Sequence, residues 1–179
     1  MDRPLPGTTE NVLAFSRATR LVEQIKSKVI LVVDDDADTV ALLESIGRKA
    51  GYEVVGAAGG EECLSLLPRV APQLIMLDVN MTELDGFETC RRVRNEPHGA
   101  HVPIAFLTAR RTVDDVKRGV AAGADDFVVK PFDVTQLVER IEFMTSCSHL
   151  LNDHRKRRAS KGGPPAAWLP IRLGRFGSR

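Results

Sequence analysis

Long apolar runs are missing from this 179-residue chain. No stretch approaches the roughly 18 consecutive apolar residues that a membrane-spanning helix needs. Met1 to Glu10 has neither a basic start nor an apolar signal core, so the expectation is a cytoplasmic chain with no membrane partner. Cysteine is scarce and odd in number: Cys63, Cys90 and Cys147 lack the close pairing of a metal site, which argues for reduced thiols rather than a disulfide framework or a thiolate-bound metal. Nor is there an excess of charge of one sign, since the net charge is +1. That balance hides a split. Leu150 to Arg179 holds eight Lys or Arg against one Asp, which leaves 17 basic and 23 acidic residues, a balance of −6, on positions 1–149. A basic tail on an acidic body can attract nucleic acid, although this tail lacks the interleaved aromatics and helical period of sequence readout.

What is present is an alternation. From Lys28 to about Met144, short apolar runs take turns with segments of helical period, the pattern of repeated βα units around a parallel sheet. The predicted strands are Val29–Val33, Glu53–Ala57, Gln73–Leu77, Pro103–Leu107 and Asp126–Val129. Val40, Leu43 and Ile46 give the first helix an apolar face, and Gly51 supplies its stop. Val134, Leu137, Val138 and Ile141 do the same for the last helix. Asp133 with Gln136 and Thr112 with Asp115 read as helix starts. Before the first strand, Val12, Phe15, Ala18, Val22 and Ile25 make one stripe over 9–26, an amphipathic helix that must bury its face on the domain, on a second copy or on another partner. The expected organisation is an N-terminal extension over 1–27, a domain over 28–146, and a largely disordered basic tail over 147–179.

A parallel sheet covered on both faces places its ligand site beyond the C-terminal ends of its strands. In this sequence those ends are polar. The first strand of "ILVVDDDAD" runs into Asp34 and Asp35, the third ends at Asp78 in "LIMLDVNM", the fourth at Thr108 in "IAFLTAR", and the fifth at Lys130 in "DDFVVKPF". Carboxylates gathered on one rim repel unless a cation neutralises them, and an all-oxygen set suits Mg²⁺, which keeps waters and accepts phosphate oxygens. Lys130 can hold a phosphate oxygen or pair with Asp78, and Thr108 can donate a hydroxyl hydrogen bond. A carboxylate facing a phosphoryl donor across the metal can act as nucleophile. Asp36 or Asp38 more naturally begins the following helix. His98, His101, His149 and His154 sit in loop-like or tail segments and read as surface residues.

The blocks "VVDDD", "LIMLDVNMTELDGFE", "PIAFLTA" and "FVVKPF", in this order, resemble those of the response-regulator receiver domain of two-component signalling, over about residues 28–146. The resemblance implies a (βα)₅ flavodoxin-like fold with a doubly wound five-stranded sheet. It also implies phosphorylation by a histidine kinase or phosphotransfer protein with Mg²⁺, and output by protein contact with a downstream target. It identifies Asp78 with the phospho-acceptor, Asp34 and Asp35 with the acidic pair, Lys130 with the family's lysine, Thr108 with the switch hydroxyl and Phe127 with the switch aromatic. The backbone carbonyl of Asn80 is the remaining metal ligand it implies, and a cis bond is expected between Lys130 and Pro131. The family usually carries proline four residues after the acceptor, where this chain has Thr82; the change should loosen the loop while removing no ligand. Asn80 and Arg110 fall where the family tunes dephosphorylation. A phosphoaspartate hydrolase shares this chemistry but needs an acid/base aspartate at the position of Asn80, so a non-enzymatic regulator is expected. A receiver fragment of a longer, effector-bearing regulator, or a nucleic-acid-binding regulator acting through the tail, are the other readings.

Overall fold

The structure, a computed structural model, describes residues 28–109 and 112–153. The stripe over 9–26, Arg110, His154, the cluster Arg155 to Arg158 and Trp168 lie outside the described residues. Five strands, β1 (Val29–Val33), β2 (Glu53–Ala57), β3 (Leu74–Asp78), β4 (Ile104–Thr108) and β5 (Asp126–Val129), pair in parallel in the order β2-β1-β3-β4-β5. Five helices alternate with them: α1 (Ala37–Lys49), α2 (Gly60–Val70), α3 (Gly86–Asn95), α4 (Val113–Ala122) and α5 (Val134–Ser146). This is the doubly wound (βα)₅ arrangement expected from the alternation.

β1, β3 and β4 are buried along their whole length, because helices cover both sheet faces. Their side chains divide by alternation. Leu31, Val33, Ile75, Leu77 and Phe106 point into one core with Leu67, Phe87 and Phe127. Ile30, Val32, Leu74, Met76 and Leu107 point into the other with Leu43, Ile46, Leu137 and Ile141. The ends are set locally. Asp36 caps α1 by accepting from Asp38 N, Thr112 and Asp115 form a reciprocal capping box on α4, and Asp133 accepts from Gln136 N at the start of α5. Gly51, after α1, has φ +84°, the left-handed conformation that a side chain disfavours.

Three details differ from the sequence expectation. β3 and β4 each begin and end one residue later, because Asp78 and Thr108 join the ladder: Asp78 pairs with Leu107 and Thr108 with Val129. Val134 is 52% exposed, so the buried stripe of α5 starts one turn later, at Leu137, and runs through Ile141 to Met144. Beyond α5, residues 148–153 of the expected disordered tail are helical.

Candidate functional site

The C-terminal strand ends bring the predicted residues to one rim. Asp34 directly follows β1 and is 2% exposed, and Asp78 is the last residue of β3 at 6%. Two carboxylates so deeply placed need compensation, and Lys130 supplies it. Its Nζ donates to Asp34 Oδ2 and to Asp78 Oδ1, each at 2.7 Å. The other oxygens take backbone donors: Asp36 N–H donates to Asp34 Oδ1 at 3.0 Å, and Asn80 N–H to Asp78 Oδ2 at 2.6 Å. Partial burial alone would push the Lys130 ammonium down. The hydrogen bonds and charges of Asp34 and Asp78 together outweigh it and hold Lys130 above its ordinary value. The Lys130–Pro131 bond is cis.

Asp35 is exposed on the same rim, and its Oδ2 accepts from Thr82 N–H at 3.0 Å. Reading the position only as a missing proline overlooked this contact, since proline has no N–H to give. Asp36 belongs to the helix start instead. The Thr39 hydroxyl at 2.7 Å, then Asp38 N–H, hold its carboxyl below the usual range.

Thr108 is 3% exposed at the end of β4, on the same rim. Phe127, on β5, is buried with its ring 5.4 Å from that of Phe106, which in turn lies 5.2 Å from Phe87 on α3. Gly119 of α4 lies so close that a Cβ there would sit 2.3 Å from Phe127 Cζ. Gly86 is another residue the sequence reading passed over. Its N–H closes the β3–α3 loop on the Val79 carbonyl, and a Cβ on it would lie 2.1 Å from the carbonyl oxygen of Asp78. Its signal was the Asp85–Gly86 pair at the start of α3, where Asp85 caps the helix. His98, His101 and His149 are exposed and away from the rim, as expected.

Asp34 and Asp78 share the Lys130 ammonium while Asp35 stands on the same rim with no ammonium on it, so the three carboxylates outnumber the one cation by two. The surplus, on oxygen donors only, fits a hard divalent cation such as Mg²⁺. Among the described residues no three acidic, histidine or cysteine side chains close around one point. Lys130 stands between Asp34 and Asp78, and Asp35 is turned to Thr82.

Residues 30–142 match the family model described as the response regulator receiver domain. The transcriptional regulatory protein PrrA of Mycobacterium tuberculosis is 42% identical over 118 residues, which are 66% of this chain and 50% of PrrA. This chain spans about half or less of the length of the curated relatives it matches. Among solved structures, the chemotaxis protein CheY4 of Vibrio cholerae superposes with a TM-score of 0.63 at 32% identity, over 65% of this chain and 97% of its own. The receiver domain of the sensor histidine kinase PA1611 of Pseudomonas aeruginosa, described with a magnesium ion coordinated in its active-site cleft, gives a TM-score of 0.63 at 28% identity, over 67% of this chain and 98% of its own.

Proposed function

The chain belongs to the response-regulator receiver family, and from that premise we propose that it is a phosphorylation-controlled switch whose acceptor is Asp78. The observation that carries the reading is the Lys130 ammonium bridging Asp34 and Asp78. It presents a cation to the oxygen that would become an acyl phosphate.

In the transfer an Asp78 carboxylate oxygen attacks phosphorus. The bond from phosphorus to the donor breaks, a P–N bond for a phosphohistidine imidazole or a P–O bond for acetyl phosphate. The leaving atom keeps the bonding pair, and an imidazole that leaves this way is neutralised by a proton from solvent when it carries away negative charge. Lys130 and the Thr108 hydroxyl then hold phosphoryl oxygens. Asp34, Asp35, Asp78 and the backbone carbonyl of Asn80 are the groups that would hold Mg²⁺, which when bound neutralises carboxylate and phosphoryl charge. Asn80, standing where a phosphoaspartate hydrolase needs its acid/base aspartate, supports a signalling rather than a turnover role.

Phosphorylation replaces the single charge of the Asp78 carboxylate by an acyl phosphate of about −1.5 to −2, a net gain of about 0.5 to 1 negative charge, and adds three acceptor oxygens at a buried strand end. Thr108 and Lys130 drawn toward it, with Phe127 packed behind them, bias a two-state equilibrium around α4 and β5. Output then passes by contact to a protein target, with a cytoplasmic histidine kinase or phosphotransfer protein as donor. Acetyl phosphate with Mg²⁺ should add one phosphoryl group by intact mass, and excess EDTA should prevent it. No adduct with Mg²⁺ present would overturn the reading.

A further inference from the structure

Of the five helices, α4 has the slightest apolar hold on the body. It buries Gly119 and Ala122 and half-buries Val116, whereas α3 beside it buries Phe87, Cys90 and Val93. So little buried side chain stabilises its seat weakly, and polar contacts decide where it rests. Two arginines make those contacts. We propose, on the basis of the phosphorylation reading, that Arg118 is a clasp that sets the resting balance of the switch: its guanidinium holds α4 on the start of α3, and release of that contact lets α4 turn about its C-terminal end.

The clasp spans two elements. The Arg118 guanidinium lies 4.1 Å from the centre of the Phe87 ring and 3.9 Å from Asp85 Oδ2. Asp85 caps α3 through its other oxygen, which accepts from Glu88 N–H at 2.7 Å, and the next residue, Gly86, closes the loop that leads from Asp78. Arg118 thus reaches from α4 to the end of the acceptor's own loop. The second arginine pins the far end of α4. Arg94, on α3, donates to the carbonyls of Gly123 at 2.9 Å, Gly99 at 2.9 Å and Val102 at 2.7 Å, and pairs with Asp125 at 2.9 Å. Gly123 ends α4, so this end stays with the sheet. The Arg94 side chain is 12% exposed and that of Arg118 60%, so the first tie serves as a pivot and the second as a catch that opens at small cost.

A row of three rings connects the catch to Phe127. The centre of the Phe106 ring lies 5.2 Å from that of Phe87 on one side and 5.4 Å from that of Phe127 on the other. Consecutive residues of α4 touch the two ends of the row. Arg118 covers Phe87, and Gly119 stands where a Cβ would meet Phe127 Cζ at 2.3 Å. The Phe127 ring therefore lies against the α4 backbone itself, and a move of Phe127 displaces Gly119 and lifts Arg118 from Phe87. The converse follows by linkage. A contact that favours the resting seat opposes that move, and so lowers the affinity of the Asp78 site for a phosphoryl group.

The test uses the full chain with Mg²⁺ and beryllofluoride, which binds a carboxylate oxygen reversibly in place of a phosphoryl group, so that fluorine NMR of the bound form gives an affinity. Arg118→Met, which keeps a similar helix preference, should tighten binding about two- to fivefold, the range of an exposed cation–π contact. Arg118→Lys should fall between, because an ammonium keeps the charge but loses the flat stacking surface. Lys117→Met, which removes an exposed cation from the neighbouring position, should leave the affinity unchanged. In hydrogen–deuterium exchange without beryllofluoride, Arg118→Met should exchange faster over 113–118 by about the same factor, while 123–126 and β3 keep the parent's rates. A parent that binds no beryllofluoride would overturn the phosphorylation reading and the clasp with it. A parent that binds it while Arg118→Met keeps the parent's affinity would overturn the clasp alone, and faster exchange over 113–118 in that variant would then mark Arg118 as a structural contact only. An equal gain for Lys117→Met would overturn the clasp as well.

Discussion

Replacing Lys130 with Met keeps the length of the side chain and deletes the ammonium that Asp34 and Asp78 share at 2.7 Å. At an effective dielectric constant of about 20, each contact has a gross attraction of roughly 6 kcal/mol, most of it cancelled by desolvation. Two buried carboxylates left facing each other without a cation usually cost about 3 to 5 kcal/mol. The Lys130 side chain is 25% exposed, so water can replace part of what is lost and the lower end, about 3 kcal/mol, applies. Asp78→Asn works in the opposite sense. It leaves Lys130 with Asp34, relieves the repulsion, and should leave stability unchanged or raise it by up to about 1 kcal/mol. In the double variant the loss should be at least about 1 kcal/mol smaller than in Lys130→Met alone, because the two sites share one network. Urea unfolding at neutral pH in EDTA measures all four proteins, with the midpoint carrying the change and the slope constant. Its pH dependence has a definite sign. The folded lysine is held above its ordinary 10.5, so its contribution is complete below pH 10.5 and is lost as pH rises through the folded value. Lys130→Met within about 0.5 kcal/mol of the parent, or no coupling in the cycle, would refute the reasoning.

Thr82→Ala keeps the N–H that Asp35 accepts, whereas Thr82→Pro deletes it. The proline variant should be up to about 1 kcal/mol less stable than the alanine one in EDTA melts, its lost hydrogen bond only partly offset by a stiffer loop. Gly86→Ala would push a Cβ to 2.1 Å from the Asp78 carbonyl oxygen, and calorimetry should register a loss of about 3 kcal/mol. Burial pushes the Cys63 thiol up to about 12. A thiol reagent at mildly alkaline pH should therefore modify half-buried Cys147 first, leaving buried Cys63 and Cys90 for denaturant, as peptide mapping would record.

The strands of this fold are written plainly in the sequence because both sheet faces are covered. "ILVV" and "LIML" can be continuous apolar runs only if neither side meets water. The rim was legible for a related reason: polar residues that end such runs have nowhere to go but the strand ends. Where the alternation stops, the legibility stops too. Nothing in the apolar pattern places Asp78 and Thr108 inside the ladder, since polar side chains end an apolar run whether or not their backbone pairs. Val134 has the right spacing for the buried stripe of α5, but a helix packs on the sheet only after its first turn clears the edge. The Thr82 contact and the Gly86 approach involve backbone groups, an N–H that meets the Asp35 carboxylate and a Cα set against the Asp78 carbonyl, and both are made by chain closure. One joins residues 47 apart, and no side-chain code announces it.

The central claim is that Asp78 is the residue modified. Incubating the parent and Asp78→Asn with Mg²⁺ and acetyl phosphate, then mapping the adduct by its hydroxylamine-labile acyl bond, tests it most directly. The account predicts one labile phosphoryl group on the peptide containing Asp78 in the parent and none in the variant. Equal labelling of both proteins, or a label on another peptide, would contradict it.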